Sequence, residues 1–190
     1  MHDGMTRRTE RARLSIAAGN VTQGAMLLGG VGLLTASAGN SAAWLRLAAM
    51  LGGYLLVYFS THAAAHWLVG RLLGIAFTHY TIGGSTHAGA YPPGLRQVFA
   101  RLPFFAVHAD RASLRAASPV AQAMMFGAGM TSSVILCTLA ALWCAVGGAP
   151  GGAALLLANL AWFAGALVAE ARTRGDYAKA SDALAGRRRA

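Results

Sequence analysis

The chain is poor in charged residues and in cysteine, and each shortage excludes a class of protein. Only 12% of its 190 residues are charged, about half the fraction usual in soluble domains, while 56% are hydrophobic. The apolar residues form runs of 18 or more, long enough for a helix to cross a bilayer. These features predict an integral membrane protein.

Cysteine is present only at Cys137 and Cys144. Seven residues separate them within one apolar run, which places them about two turns apart on one helix face. That distance is too long for a disulfide, so we expect two buried thiols and no disulfide framework.

The net charge of +10 does not indicate nucleic-acid binding, because no aromatic and basic surface accompanies it. Its distribution is instead typical of a membrane topology. Four spans are predicted, at residues 14–38, 42–67, 119–146 and 151–169, with a central loop at 70–118 and basic tails at 1–13 and 172–190. If both tails are cytoplasmic, fifteen of the sixteen cations lie on that side, and only Arg46 lies near the other. We therefore expect a multi-pass protein of a prokaryotic inner membrane with both termini in the cytoplasm.

The fold class expected is all-α, with about four transmembrane helices. One exception is predicted after the second span, where "FTHYTIGG" is β-prone and favours a short hairpin or a re-entrant segment. Further along the loop, "LRQVFARLPFFAV" mixes arginines with apolar residues and favours an interfacial helix. The C-terminal tail is helix-capable and basic, and we expect it to be solvated or in contact with anionic lipid headgroups.

The second span carries two histidines, His62 and His66, in "STHAAAHWLVGR". Residues four apart share one helix face, which is the spacing of a metal clamp. With Arg71 marking the cytoplasmic end, the pair lies on the order of 7–14 Å inside the membrane. Ionisable residues at that depth are functional candidates. The alternative is that each neutral imidazole hydrogen-bonds a Ser, a Thr or a carbonyl group on a neighbouring helix.

The missing residue in this motif is a carboxylate. Helix-borne zinc proteases place a glutamate directly after the first histidine, where it takes a proton from the zinc-bound water. Here Ala63 occupies that position, and Ala64 and Ala65 follow. Loss of a general base typically costs ~10²–10⁴-fold in rate, so no catalytic residue is assigned.

Residues 50–130 resemble the site-2 protease family of intramembrane zinc metalloproteases. The run "HAAAHWLVGRLLGI" is similar to the family's active-site helix without its glutamate, and "RAASPVAQAM" is similar to its small-Gly-Pro-x-x-Asn element, with Ser118 for Gly and Gln122 for Asn. The strand-like "FTHYTIGG" falls where the family has a short β element. The resemblance implies zinc, bound by His62, His66 and a third ligand from a later helix.

That third ligand is an aspartate in the family, within an Asn…Pro…Asp-Gly run that this chain lacks. The fourth span offers Asn159, Glu170 and Asp176. Glu170 lies near the end of the fourth span, at a membrane depth close to that of the histidines, and is the ligand we expect. Asp176 could reach the histidines only if the chain folded back. The alternative for Glu170 is an interfacial residue paired with Arg172 or Arg174. His79, His87 and His108 in the central loop are further candidates.

We therefore expect a metal-binding pseudoprotease that binds membrane lipids and holds or scaffolds another membrane protein, with no nucleic-acid partner. Two alternatives stay open. One is a tetrapyrrole- or pigment-binding subunit of a membrane complex, since a single histidine ligates such groups well. The other is an active zinc metalloprotease with an unusual general base, such as Glu170. A transporter or channel would need more polar residues within its spans.

Overall fold

A computed structural model describes residues 10–39, 41–85, 94–173 and 175–186. The elements in chain order are β1 (Glu10–Leu14), α1 (Ile16–Ser37), α2 (Ala43–Leu72), β2 (Phe77–Gly83), α3 (Leu95–Arg101), β3 (Phe104–Ala109), α4 (Arg111–Ala116), α5 (Pro119–Val146), α6 (Gly152–Thr173) and α7 (Asp176–Leu184). The basic runs at 1–9 and 187–190 lie outside the described residues, as does His87.

Four of these helices, α1, α2, α5 and α6, are long and apolar enough to cross a membrane. Two begin at a serine N-cap: the hydroxyl of Ser15 accepts the backbone N–H of Ala18, and Ser118 accepts that of Ala121. Pro119 then occupies the first turn of α5, where its missing N–H costs nothing. The expectation of four membrane-length helices is confirmed.

The core of the bundle lies where α2 packs against α1 and α5, and where α5 packs against α6. Its buried residues include Leu34, Met50, Val57 and Phe163. Cys137 and Cys144 are buried free thiols in this same core, as expected. Tyr54 donates a hydrogen bond to Asn159 of α6, which gives that buried amide a polar partner within the apolar bundle.

The expectation of an all-α chain needs a correction, because the structure contains a three-stranded antiparallel sheet in the order β1-β2-β3. β1 comes from the N-terminal segment expected to be a tail, and Leu14 pairs with Tyr80 of β2. β3 comes from the segment expected to be an interfacial helix, of which only Leu95–Arg101 is helical. Tyr80 is fully buried against Gly19 of α1, which fixes the sheet to the bundle.

The C-terminal segment is not a solvated tail. α6 continues to Thr173, and α7 then packs back against α5. The hydroxyls of Tyr177 and Thr131 share a hydrogen bond of 3.0 Å. Asp176, the first residue of α7, is only 6% exposed. The fold thus returns a carboxylate from the end of the chain to the middle of the bundle.

The contact between α1 and α2 depends on glycine, which gives a first prediction. A Cβ at Gly53 would lie 2.8 Å from the Gly30 carbonyl oxygen and 2.9 Å from the Leu34 nitrogen, both backbone atoms. Gly53→Ala is expected to lower the free energy of unfolding by about 1–3 kcal/mol because the helices must separate. The measurement is thermal unfolding in detergent.

Gly52→Ala is the matched control for this substitution. Its Cβ would meet the Leu33 side chain at 3.6 Å, an ordinary van der Waals distance. Alanine is a better helix former than glycine by about 1 kcal/mol, so Gly52→Ala should leave the melting temperature unchanged or raise it. Equal behaviour of the two variants would contradict close helix packing at Gly53.

Candidate metal centre

Two imidazoles from α2 face each other inside the bundle. His62 and His66 are four residues apart on one helix, so their side chains lie one turn apart on the same face. Their Nε2 atoms are 3.3 Å apart, and the rings meet edge to face with centroids separated by 4.8 Å. The pair therefore presents two nitrogen donors to one small volume.

Asp176 adds a carboxylate oxygen to this pair. Its Oδ2 lies 3.0 Å from His62 Nε2 and 3.2 Å from His66 Nε2. The turn between α6 and α7 places it there: Glu170 accepts the backbone N–H of Tyr177, and its carboxylate lies directly against Gly175. A side chain at position 175 would overlap that carboxylate, so glycine is required in this turn.

The three donor atoms have the geometry of a tetrahedral metal site. They form a triangle with edges of 3.0, 3.2 and 3.3 Å. Ligands bound to zinc at ~2.0–2.1 Å in a tetrahedron are ~3.3 Å from one another. His62, His66 and Asp176 are therefore spaced as three ligands of one metal ion would be.

The outer nitrogens of the two rings determine which nitrogen carries the proton. His66 Nδ1 is 2.7 Å from the Met125 carbonyl oxygen, which only accepts, so Nδ1 carries a hydrogen. His62 Nδ1 is 3.3 Å from the Ser133 hydroxyl, which already donates its own hydrogen to the Gly129 carbonyl. In the neutral form of each ring, this leaves an Nε2 lone pair directed at Asp176.

This arrangement fits a bound cation. With both rings neutral, two nitrogen lone pairs and a carboxylate oxygen lie within 3.3 Å of one another, and they repel unless a metal ion or a proton lies among them. A second partner on the far side of each histidine is the usual support for a metal ligand, since it fixes the tautomer and the ring orientation. His62, His66 and Asp176 are the residues that would hold the metal.

The second oxygen of Asp176 accepts a hydrogen bond from Lys179 at 2.9 Å. Burial alone would raise the pKa of the Asp176 carboxyl group, but the hydrogen bonds that His62 and His66 donate in their protonated form, together with the charge of that form, outweigh that effect. The pKa of Asp176 is therefore held well below its usual range. An ionised carboxylate is the form that a metal ligand requires.

A cavity of about 580 Å³ opens beside these residues. It lies between α2, α5, α6 and β3, and its walls are mostly apolar, including Phe59, Phe105, Phe126, Met130 and Phe163. The side chain of His62 is 38% exposed and that of His66 13%, so the histidines are accessible from this cavity. Glu170 and Lys179 also line it.

The structure places Asp176, and not Glu170, against the histidines. Glu170 was expected as the third ligand because it ends the fourth span at a suitable depth, but its carboxylate caps the start of α7. Sequence reasoning rejected Asp176 because the chain would have to fold back, and it does. The signal that was available is the Gly-Asp pair directly after a long apolar helix, a typical start for a new helix.

His79 and His108 of the central loop do not join the cluster. His79 and His108 stack on the sheet with ring centroids 4.4 Å apart. His79 is bonded to Arg13, and His108 to Thr81. Partial burial, followed by the charge of Arg13, lowers the pKa of His79. Among the described residues, the group with metal-ligand spacing is His62, His66 and Asp176.

No protein-family model, no curated protein and no solved structure matches this chain.

Proposed function

We propose that this protein is a zinc-binding membrane protein of the site-2 protease type that has no peptidase activity. The observation that carries the proposal is the convergence of His62 Nε2, His66 Nε2 and Asp176 Oδ2 within 3.3 Å, with each histidine fixed from behind. The resemblance implies two histidines and an aspartate as zinc ligands, and Asp176 supplies the aspartate.

Zinc is the metal favoured by the donor set. Two imidazole nitrogens and one carboxylate oxygen form a mixed nitrogen and oxygen site of tetrahedral size, which is typical of zinc. Three protein ligands with an open fourth position is the arrangement of catalytic zinc sites, which hold water or substrate there, whereas structural sites are closed by four protein ligands. His62, His66 and Asp176 all line the mostly apolar cavity, from which a further ligand would reach the metal.

Peptide hydrolysis is disfavoured by the surroundings of that open position. Ala63 is 1% exposed, so the position of the missing glutamate is enclosed by neighbouring atoms as well as lacking a carboxylate. Among the described residues that line the cavity, the acidic groups are Asp176 and Glu170. Asp176 faces the histidines and Lys179, and Glu170 accepts a backbone N–H from α7, so neither carboxylate occupies the place of the missing glutamate.

The pigment-binding alternative has less support from this geometry. A histidine that ligates a tetrapyrrole needs a flat open space over its Nε2 atom for the macrocycle. Here both Nε2 atoms point at Asp176 and at each other across 3.0–3.3 Å. A binding function at a zinc ion is therefore the better account of the cluster.

The test is to purify the protein in detergent, measure bound metals by mass spectrometry, and assay cleavage of a membrane-spanning peptide on the same sample. We expect about one zinc per chain, no visible pigment band and no cleavage. His62→Ala/His66→Ala should lose the zinc, while His79→Ala, on the sheet and outside the cluster, should retain it. Absence of metal from the wild type would contradict zinc binding, and zinc-dependent cleavage would contradict the loss of peptidase activity.

A further inference from the structure

If the proposed zinc site is correct, the charged side chains that line the cavity and the bound divalent ion together carry one net positive charge. The carboxylates of Asp176 and Glu170 together balance the ion, and Lys179 then remains uncompensated among the described charged residues that line the cavity. An unbalanced charge in an apolar environment is costly. A ligand with one negative charge would neutralise the site.

The position of Lys179 indicates where that negative charge would lie. Its Nζ is 2.9 Å from Asp176 Oδ1, while the other oxygen of the same carboxylate, Oδ2, faces the histidines. Its side chain is 32% exposed and lines the cavity, so the ammonium group is available to a second acceptor. An anion at the open metal position would lie close to this second cation.

The cavity is small in comparison with a transmembrane helix. One turn of a helix with its side chains occupies roughly 400–600 Å³, so about 580 Å³ holds one turn. The same volume is within the range of sites for small molecules, roughly 300–1,000 Å³. An occupant with one narrow chain fits this space better than a helix does.

The side chains that line the cavity indicate that the chain of the occupant is a hydrocarbon. Away from the histidines they consist largely of aromatic and aliphatic side chains from four elements: Phe59 of α2, Phe105 of β3, Phe126 and Met130 of α5, and Phe163 and Ala166 of α6. Such walls bind hydrocarbon and leave polar groups without partners. The polar end of the occupant must therefore lie at the histidine cluster.

We propose that the cleft binds a fatty acid or a similar single-chain monocarboxylate. Its carboxylate takes the open metal position beside Lys179, and its hydrocarbon chain lies along the aromatic walls. A phosphate monoester would bring about two charges and leave the site negative. A long-chain alcohol would leave the positive charge uncompensated.

The experiment uses the full chain in lipid nanodiscs, loaded with Co²⁺ in place of zinc so that visible absorption reports the coordination of the ion. Dodecanoate, dodecanol and dodecyl phosphate are titrated in separate samples at equal membrane concentration. We expect saturable changes in the cobalt bands with dodecanoate, none with dodecanol, and at least tenfold weaker binding of dodecyl phosphate. Equal effects of dodecanoate and dodecanol would overturn the proposal.

Variants at position 179 test the second cation. Lys179→Gln should weaken dodecanoate binding about tenfold, while Lys179→Arg should keep it within about threefold, with bound cobalt measured in both. Failure of the wild type to bind cobalt would overturn the zinc site and the fatty-acid site together. Bound cobalt without a response to dodecanoate would overturn the fatty-acid site alone.

Discussion

Asp176→Asn is expected to reduce zinc affinity by at least 10²-fold. Substitution of groups that merely support a metal ligand costs 10–100-fold, and the asparagine side chain replaces an anionic ligand by a neutral amide of nearly the same shape. The helix should stay in place, because Tyr177 still bonds to Thr131 and Glu170 still caps α7. The measurement is zinc affinity by competition with a chelator of known affinity.

Asp182→Asn is the matched control, since it makes the same change within the same helix at a residue outside the group with metal-ligand spacing. It should retain wild-type zinc affinity. Thermal unfolding with zinc and with a chelator separates a metal ligand from a structural ion pair. At zinc concentrations of 1,000 Kd the wild type should gain about 4 kcal/mol of stability, and Asp176→Asn should lose most of that gain. If Asp176→Asn destabilises the protein equally under both conditions, Asp176 serves to hold α7 in place and is not a ligand.

The histidine pair could be predicted from sequence because all of its geometry is local. Residues four apart on a helix meet on one face wherever the helix lies. The four long helices were predictable for the same reason, since hydropathy over about 20 residues is a property of the segment itself. The range expected for the third span, 119–146, is that of α5, where a serine cap and a proline mark the start.

Asp176 was not predictable in the same way, because it is 110 residues from His66 along the chain. Its position depends on a turn that needs Gly175, on the Glu170 cap, and on the packing of α7 against α5. The basic residues around α7 predicted a segment exposed to solvent. In the structure, contacts that Asp176 and Tyr177 make with α2 and α5 hold α7 against the bundle instead. β1 was missed for a related reason: a short basic strand becomes stable only when β2 is present to pair with it.

Gly129→Ala is expected to abolish zinc binding although it improves the local helix. Gly129 lies inside α5, where alanine is favoured over glycine by about 1 kcal/mol. A Cβ at this position would overlap the His66 ring, including its Nε2 atom. The ring has no simple escape, because its Nδ1 is bonded to the Met125 carbonyl one turn earlier on the same helix. We expect bound zinc to fall from about one per chain to less than about a tenth, measured by mass spectrometry.

Gly127→Ala makes the same change two residues earlier, where the nearest atoms are those of the Tyr177 ring at 3.9 Å, and it should keep its zinc. Because both variants add one methyl group to the same helix, a general effect on α5 would appear in both. Loss of zinc in Gly129→Ala alone, with a melting temperature in chelator no lower than that of the wild type, would show that glycine at position 129 is needed to leave space for the His66 ring. Retention of zinc by Gly129→Ala would mean that His66 binds no metal in this orientation, and the three-ligand site would then have to be abandoned.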